Sequence, residues 1–246
     1  MRSRSSVGFF VIAFSGASVA AEPSALACGV SGADGVSGCS LSEHEEAARP
    51  RWHVATSGVF TSTALNFGGG LRGDETRWAA LALAAYAPSA HVTLQAGAGG
   101  AFGGSLTLPD GQHDFSPGPM AAVGASWRVV DSRPFVVLSS QLTFAAATTQ
   151  LRGPTESAVG YEAFDLRVGI VVGWTVLDVL SPYALTRAFG GPVYWHYRGG
   201  AVIGTDVSHY QVGAGLAARI TQRLDLFAEG VPLGERAVAL GVGMAF

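Results

Sequence analysis

Between Tyr161 and Val176 the chain alternates with period two: Phe164, Leu166, Val168, Ile170, Val172, Trp174 and Val176 hold one parity, while Asp165, Arg167, Gly169 and Gly173 hold the other. Side chains of a strand point alternately to opposite faces, so this segment predicts a strand with one continuously apolar face; on a helix the same spacing would smear around the surface. The split recurs in 209–220, where Tyr210, Val212, Leu216 and Ile220 oppose His209, Gln211, Gly213, Gly215 and Arg219. It recurs again in 237–246, where Val238, Leu240, Val242, Met244 and Phe246 oppose alanine and glycine. In a soluble barrel the bulky parity would fill the interior. Here the bulky parity lacks charge and the small parity carries it, as expected when hydrocarbon lies outside.

Ten segments of this kind are predicted, at 52–65, 76–87, 91–102, 119–129, 135–148, 161–176, 183–197, 209–220, 224–230 and 237–246. The connections 87–90, 130–134, 177–182 and 221–223 are short, whereas 103–118, 150–160 and 198–208 are long, with 231–236 the exception on the long side. Short periplasmic turns and long outer loops characterise membrane barrels. The expectation is an all-β fold over 51–246: an antiparallel up-and-down transmembrane β-barrel of about ten strands, with eight and twelve as the alternative counts. Aromatic rings favour the two water–lipid interfaces. Tyr86, Trp127, Trp174 and Tyr183 are expected near the turns, and Tyr161, Tyr194, Trp195, Tyr197 and Tyr210 near the outer loops.

The final segment reads Leu240-Gly241-Val242-Gly243-Met244-Ala245-Phe246. It resembles the C-terminal assembly signal of bacterial outer-membrane β-barrel proteins, with Gly241 and the terminal Phe246 at matching places and Met244 standing where an aromatic is commoner. The resemblance implies residence in the outer membrane of a Gram-negative cell, delivery by the barrel assembly machinery through the last strand, and contact with outer-membrane lipid and lipopolysaccharide. A monomer is expected.

Composition narrows the field. A mean hydropathy of +0.32, 48% hydrophobic residues, 34 glycines and 13% charged residues are too apolar for disorder and unlike an ordinary soluble globule. After the N-terminus there is no apolar run of the roughly 18 residues that a membrane helix requires. Net charge is −3, every basic residue is Arg, and no Arg-rich stripe occurs, so no nucleic-acid partner is expected.

Arg2 and Arg4 precede an apolar stretch from Val7 to Val19, which predicts a signal peptide over 1–21. Cleavage could fall as late as 27, because Ala25-Leu26-Ala27 has the small-x-small form. Residues 22–50 then form a small, polar periplasmic leader. Cys28 and Cys39 are expected to close a disulfide loop in an oxidising periplasm; lipidation of Cys28 is the alternative. No metal site is expected, since His44 and His53 lack further cysteine partners at ligand spacing.

The inward parity collects Gln95, Arg128, Gln141, Asp165, Arg167, Gln211, Arg219, Asp225 and Glu229 as lumen-lining candidates. Arg219 and Asp225 flank the 221–223 turn symmetrically, which would set them opposite each other in a hairpin. With Gly97, Gly99, Gly169, Gly173, Gly213 and Gly215 also inward, a ten-strand ring should retain space, which predicts a narrow pore or small-solute passage. The alternative is a closed structural or surface-interaction barrel, with salt bridges or a folded-in 103–118 loop filling the lumen and Tyr194-Trp195-His196-Tyr197-Arg198 presented to partners. A lipid-modifying enzyme at the rim would draw on Asp206, Ser208 and His209, but adjacent strand residues face opposite ways. No enzymatic activity and no cofactor are expected. The glycine string at 97–104 lacks the Lys-Ser or Lys-Thr pair of a phosphate loop, and 110–114 carries too few ligands for calcium.

Overall fold

A computed structural model of the protein describes residues 52–130, 134–153, 157–177 and 179–246. The expected signal peptide, the leader, and the fates of Cys28 and Cys39 lie outside the described residues.

The chain forms β1 (Trp52–Phe67), β2 (Leu71–Tyr86), β3 (Val92–Leu108), β4 (Gly111–Phe115), β5 (Gly118–Val130), β6 (Phe135–Leu151) and β7 (Val159–Gly173). It continues with β8 (Leu180–Gly190), β9 (Val193–Tyr197), β10 (Gly200–Asp206), β11 (Tyr210–Arg219), β12 (Leu224–Gly234) and β13 (Arg236–Ala245). All pairings among these segments are antiparallel, and β13 returns to β1, so the sheet closes.

Three staves of this barrel are each broken in two. β4 and β5 both lie between β3 and β6, separated at Ser116 and Pro117. β8 and β9 both follow β7, separated at Gly191 and Pro192. β10 and β11 are separated at 207–209. Proline has no N–H to give the ladder, so Pro117 and Pro192 interrupt pairing where they stand. Counted as staves, the wall has ten strands.

A belt of exposed Leu, Val, Ile, Phe and Trp encircles the outer face, Leu166 and Val168 both being 53% exposed. One margin of the belt carries Trp52 against Tyr86 at 4.9 Å, with Trp127 and Trp174 also exposed; the other carries Phe60 against Trp78 at 4.7 Å and Phe144 against Phe164 at 4.9 Å. Eight residues of a strand tilted about 40° climb roughly 20 Å, near the height of a membrane barrel's apolar band. The girdles differ from expectation at Tyr161, Tyr183 and Trp195, which point inward and are buried. Phenylalanines take their place at the rim.

Beyond Phe60, β1 continues to Phe67, roughly 15 Å further. The neighbouring strands continue with it. The expected loops 103–118 and 198–208 are therefore largely wall: β3 and β4 meet at a tight turn after Leu108, and β9 and β10 form a hairpin turning at Arg198 and Gly199. Residues 103–118 cannot plug the lumen, and Tyr194–Tyr197 is strand rather than loop.

The β12–β13 hairpin does not make this climb. It turns at Gly234 and Glu235, level with Gln211 on one side and Ser62 on the other. Above it β10 reaches across to β1, pairing Leu65 with Asp206, Asn66 with Thr205 and Phe67 with Gly204. The ring thus has ten strands through the belt and eight in the collar above it.

Candidate functional site

The inward side chains fall into layers. Nearest the short turns, His53 Nε2 lies 3.1 Å from Asp225 Oδ1, and Arg128 lies over the Phe135 ring. Arg219 stands opposite Asp225 in the β11–β12 register. Higher in the belt, Gln95 donates to Gln141 at 3.1 Å, and Gln141 donates to Thr143 at 3.1 Å. Arg187 grips both oxygens of Glu229 at 2.9 and 3.2 Å, and the Tyr183 hydroxyl donates to the same carboxylate. A buried ion pair is tolerated when it is bidentate and further hydrogen-bonded, and this one is both.

At the level of the hairpin tip is a cavity of about 100 Å³, lined by Glu75, Arg77, Asp165, Arg167, Asp206 and Glu235 together with Thr61, Thr63 and Tyr161. Arg167 bridges Asp165 and Glu235, the latter at 2.8 Å, and Gln211 donates to Glu235 at 3.0 Å. Arg77 pairs with Glu75 at 3.0 Å and lies over the rings of Phe115 and Tyr161. The Tyr161 hydroxyl donates to Glu75, and Thr63 donates to Asp206 at 3.0 Å.

Above the cavity the collar interior is aromatic and aliphatic. Phe67, Leu106, Leu108, Phe115, Tyr161 and Trp195 are buried together. Trp195, 0% exposed, stacks on Tyr197 at 4.5 Å and donates its indole N–H to Thr149 at 2.7 Å.

The structure places all nine lumen candidates on the inward face, and it fills the space between them. The inward glycines are not open room. A Cβ on Gly215 would fall 2.3 Å from the Tyr183 ring, on Gly173 2.4 Å from Phe135, and on Gly169 2.6 Å from Arg187. Each of these glycines is the register partner of the large side chain that lies over it. The interior therefore holds bulky groups as well as small and ionic ones, which corrects the expectation that the inward glycines are open space. A cross-strand pair can seat one large side chain only if its opposite member is small.

Sequence reading missed several buried polar groups. Glu75 and Arg77 lie at or before the start of the predicted 76–87 segment, and Glu235 lies in the supposed 231–236 connection. Arg187 shares its parity with Tyr183 and Leu185, so no small-versus-large contrast marked it. His53, considered in the sequence only to set a metal site aside, is a buried partner of Asp225. The rim group does not assemble: Asp206 turns inward to Thr63, while His209 Nδ1 lies 3.2 Å from the Phe189 carbonyl oxygen. Among the described residues no cluster of His, Cys, Asp and Glu suits a metal ion.

No family model matches the chain, and no curated protein matches it. Solved structures do. The outer-membrane protease OmpT of Escherichia coli aligns with a TM-score of 0.50 at 10% identity, over 80% of this chain and 97% of that one. The translocator domain of the autotransporter NalP of Neisseria meningitidis gives 0.47 at 11% identity, over 83% and 90%. The transport unit of the autotransporter AIDA-I of Escherichia coli gives 0.42 at 12% identity, over 84% and 93%. With the apolar belt and the closed antiparallel ring, the chain has the fold of the bacterial outer-membrane β-barrels.

Proposed function

We propose that the protein is a closed barrel of the outer membrane, a rigid wall in lipid that carries an eight-stranded collar into the external medium. The observation that carries this reading is the inward face of β1, which runs the full height of the wall. His53, Ala55, Ser57, Val59, Leu65 and Phe67 are each 5% exposed or less; water reaches this face only at Thr61 and Thr63, beside the cavity. A solute path would need continuous accessible surface from end to end. The filled layers above and below the cavity interrupt it.

The collar suits contact with surface partners. Its outward positions are mostly polar, among them Asn66, Arg72, Asp74, Thr107 and Glu162, with Ile203 and Tyr194 exposed side by side on β10 and β9, and its hairpins stand clear of the belt. A structural or surface-interaction role follows, with outer-membrane lipid around the belt.

The competing reading is the narrow pore, and the ionic lining of the cavity favours it. Planar-bilayer recording of the refolded full chain at about pH 6 decides between them. Silent membranes are expected from the closed barrel. Steady, discrete conductance steps would establish a pore and overturn the closed reading.

A further inference from the structure

The step from ten strands to eight creates a seam with unusual chemistry. β10 leaves β11 at 207–209, passes over the tip of the β12–β13 hairpin and joins β1 by three residue pairs. By contrast, the β1–β13 pairing below it spans ten, from His53 with Ala245 to Ser62 with Arg236. Two acidic side chains face one cavity from opposite sides of this seam: Asp206 from β10 and Glu235 from the hairpin tip.

The other charges on the cavity do not balance them. β2 contributes Glu75 and Arg77; β7 contributes Tyr161, Asp165 and Arg167; β1 contributes only the hydroxyls of Thr61 and Thr63. Four carboxylates thus meet two guanidiniums. Arg77 is engaged by Glu75, and Arg167 by Asp165 and Glu235. Asp206 is held by a threonine hydroxyl instead. His209, three residues further on, lies against the Phe189 carbonyl. Arg77 Nε is buried without a hydrogen-bond acceptor among the described residues, and water fits a polar space of this size. Water in the cavity lets protons exchange with the carboxylates.

We propose that this seam is a proton-operated latch: while Asp206 and Glu235 retain a proton between them the collar stays shut, and when both ionise their repulsion lifts β10 from the hairpin tip and opens the cavity to solvent. The latch rests on the closed-barrel reading: the belt layers below the cavity stay filled whether the collar is shut or open. Low local dielectric makes the repulsion far larger than it would be in bulk water. The β10–β1 seam is held by three residue pairs, as few as β4–β6 and β7–β9, and of these three joins it is the one whose paired carboxylate, Asp206, turns into the cavity, so strain from the repulsion falls on it.

Titration supports the direction. Burial, then the facing carboxylates of Glu235 and Asp165, push the Asp206 carboxyl up from 3.8 to about 7. Its folded value lies above its unfolded one, so the folded collar holds an extra proton between the two. The stability this provides is complete below about pH 4, declines as pH rises, and is gone above about pH 7.

The test is hydrogen–deuterium exchange of the β10–β1 seam in the refolded full chain at about pH 5 and about pH 9, expressed as protection relative to the intrinsic exchange rate at each pH, with Asp206→Asn and Glu235→Gln alongside and folding checked by heat-modifiable gel migration. For a group titrating near neutrality, the ionised population rises roughly a hundredfold across that range, and seam protection should fall with it. The wild-type seam is expected to be protected at acid pH and to exchange at alkaline pH, while bilayers stay silent at both because the belt layers below the cavity remain filled. Asp206→Asn should stay protected at both, and Glu235→Gln, which keeps the Asp206 carboxyl, should lose less protection than the wild type at alkaline pH. Equal protection of the wild-type seam at both pH values overturns the latch while leaving the closed barrel standing. Steady conductance at both overturns the closed barrel itself. A wild-type response that survives in whichever of the two variants folds removes Asp206 and Glu235 from the mechanism.

Discussion

The belt and the collar are made by the same strands but obey opposite rules. In the belt β1 shows Trp52, Val54 and Phe60 outward and His53 and Ser57 inward; past the rim it shows Ser62 and Asn66 outward and Leu65 and Phe67 inward. β7 makes the same exchange, from outward Leu166 and inward Arg167 to outward Glu162 and inward Tyr161. The outer solvent decides the outer face: hydrocarbon below the rim, water above it. The inner face compensates. A strand whose outer side is already apolar can afford ionic groups inside when they are paired, whereas a strand standing in water needs an apolar core of its own to hold it.

The belt should fail hardest through its buried ion pairs. Arg187→Ala strips Glu229 of its bidentate partner and leaves a buried charge; a loss of about 3–5 kcal/mol is expected in urea unfolding of the lipid-embedded protein. The belt's outer face comes next. Val168→Arg, near mid-belt, sets a cation in hydrocarbon and should cost about 2–4 kcal/mol, whereas Thr107→Arg on the collar's outer face should change stability by less than about 0.5 kcal/mol. Equal effects at the two sites would erase the distinction between belt and collar.

The glycine slots give a smaller effect with a sharper signature. Gly215→Val drives a side chain into the Tyr183 ring and should cost about 1–3 kcal/mol. Adding Tyr183→Phe should not relieve it, because the ring remains, but adding Tyr183→Ala should recover part of the loss. At the bottom of the scale stands Arg152, paired with Asp114 at 2.8 Å on the collar's exposed surface. Arg152→Ala should leave the urea midpoint nearly unchanged, and high salt should abolish any remaining difference.

The exchange of faces at the rim also explains where sequence reading stopped. Segments were recognised by large residues on one parity and small or charged ones on the other. Above the rim, apolar residues occupy the other face, so the pattern breaks although the strand continues; Leu106 and Leu108 on β3 fall in the expected 103–118 loop for this reason, and Trp195, inside the predicted 183–197 segment, is expected at the lipid interface although it points inward. On β3 a bulge at Gly103 and Gly104, both at positive φ, shifts the phase as well. The nine inward polar candidates came from belt segments with clean alternation. Glu75, Arg77 and Glu235 sit at segment margins where no repeat had yet formed.

By itself the sequence determined the class of wall and a count of about ten strands, with eight and twelve left open, because period-two alternation against lipid is a local property that each strand declares independently. Only the tertiary structure decided whether the lumen is filled. That outcome depends on which glycine faces which ring across a strand pair, and register between distant segments is not written in either one alone. The step from ten strands to eight was likewise hidden, since it arises from one short hairpin and from β10 finding β1 above it. The charges brought together at that step come from three separate strands and one turn, so their imbalance exists only once the ring has closed.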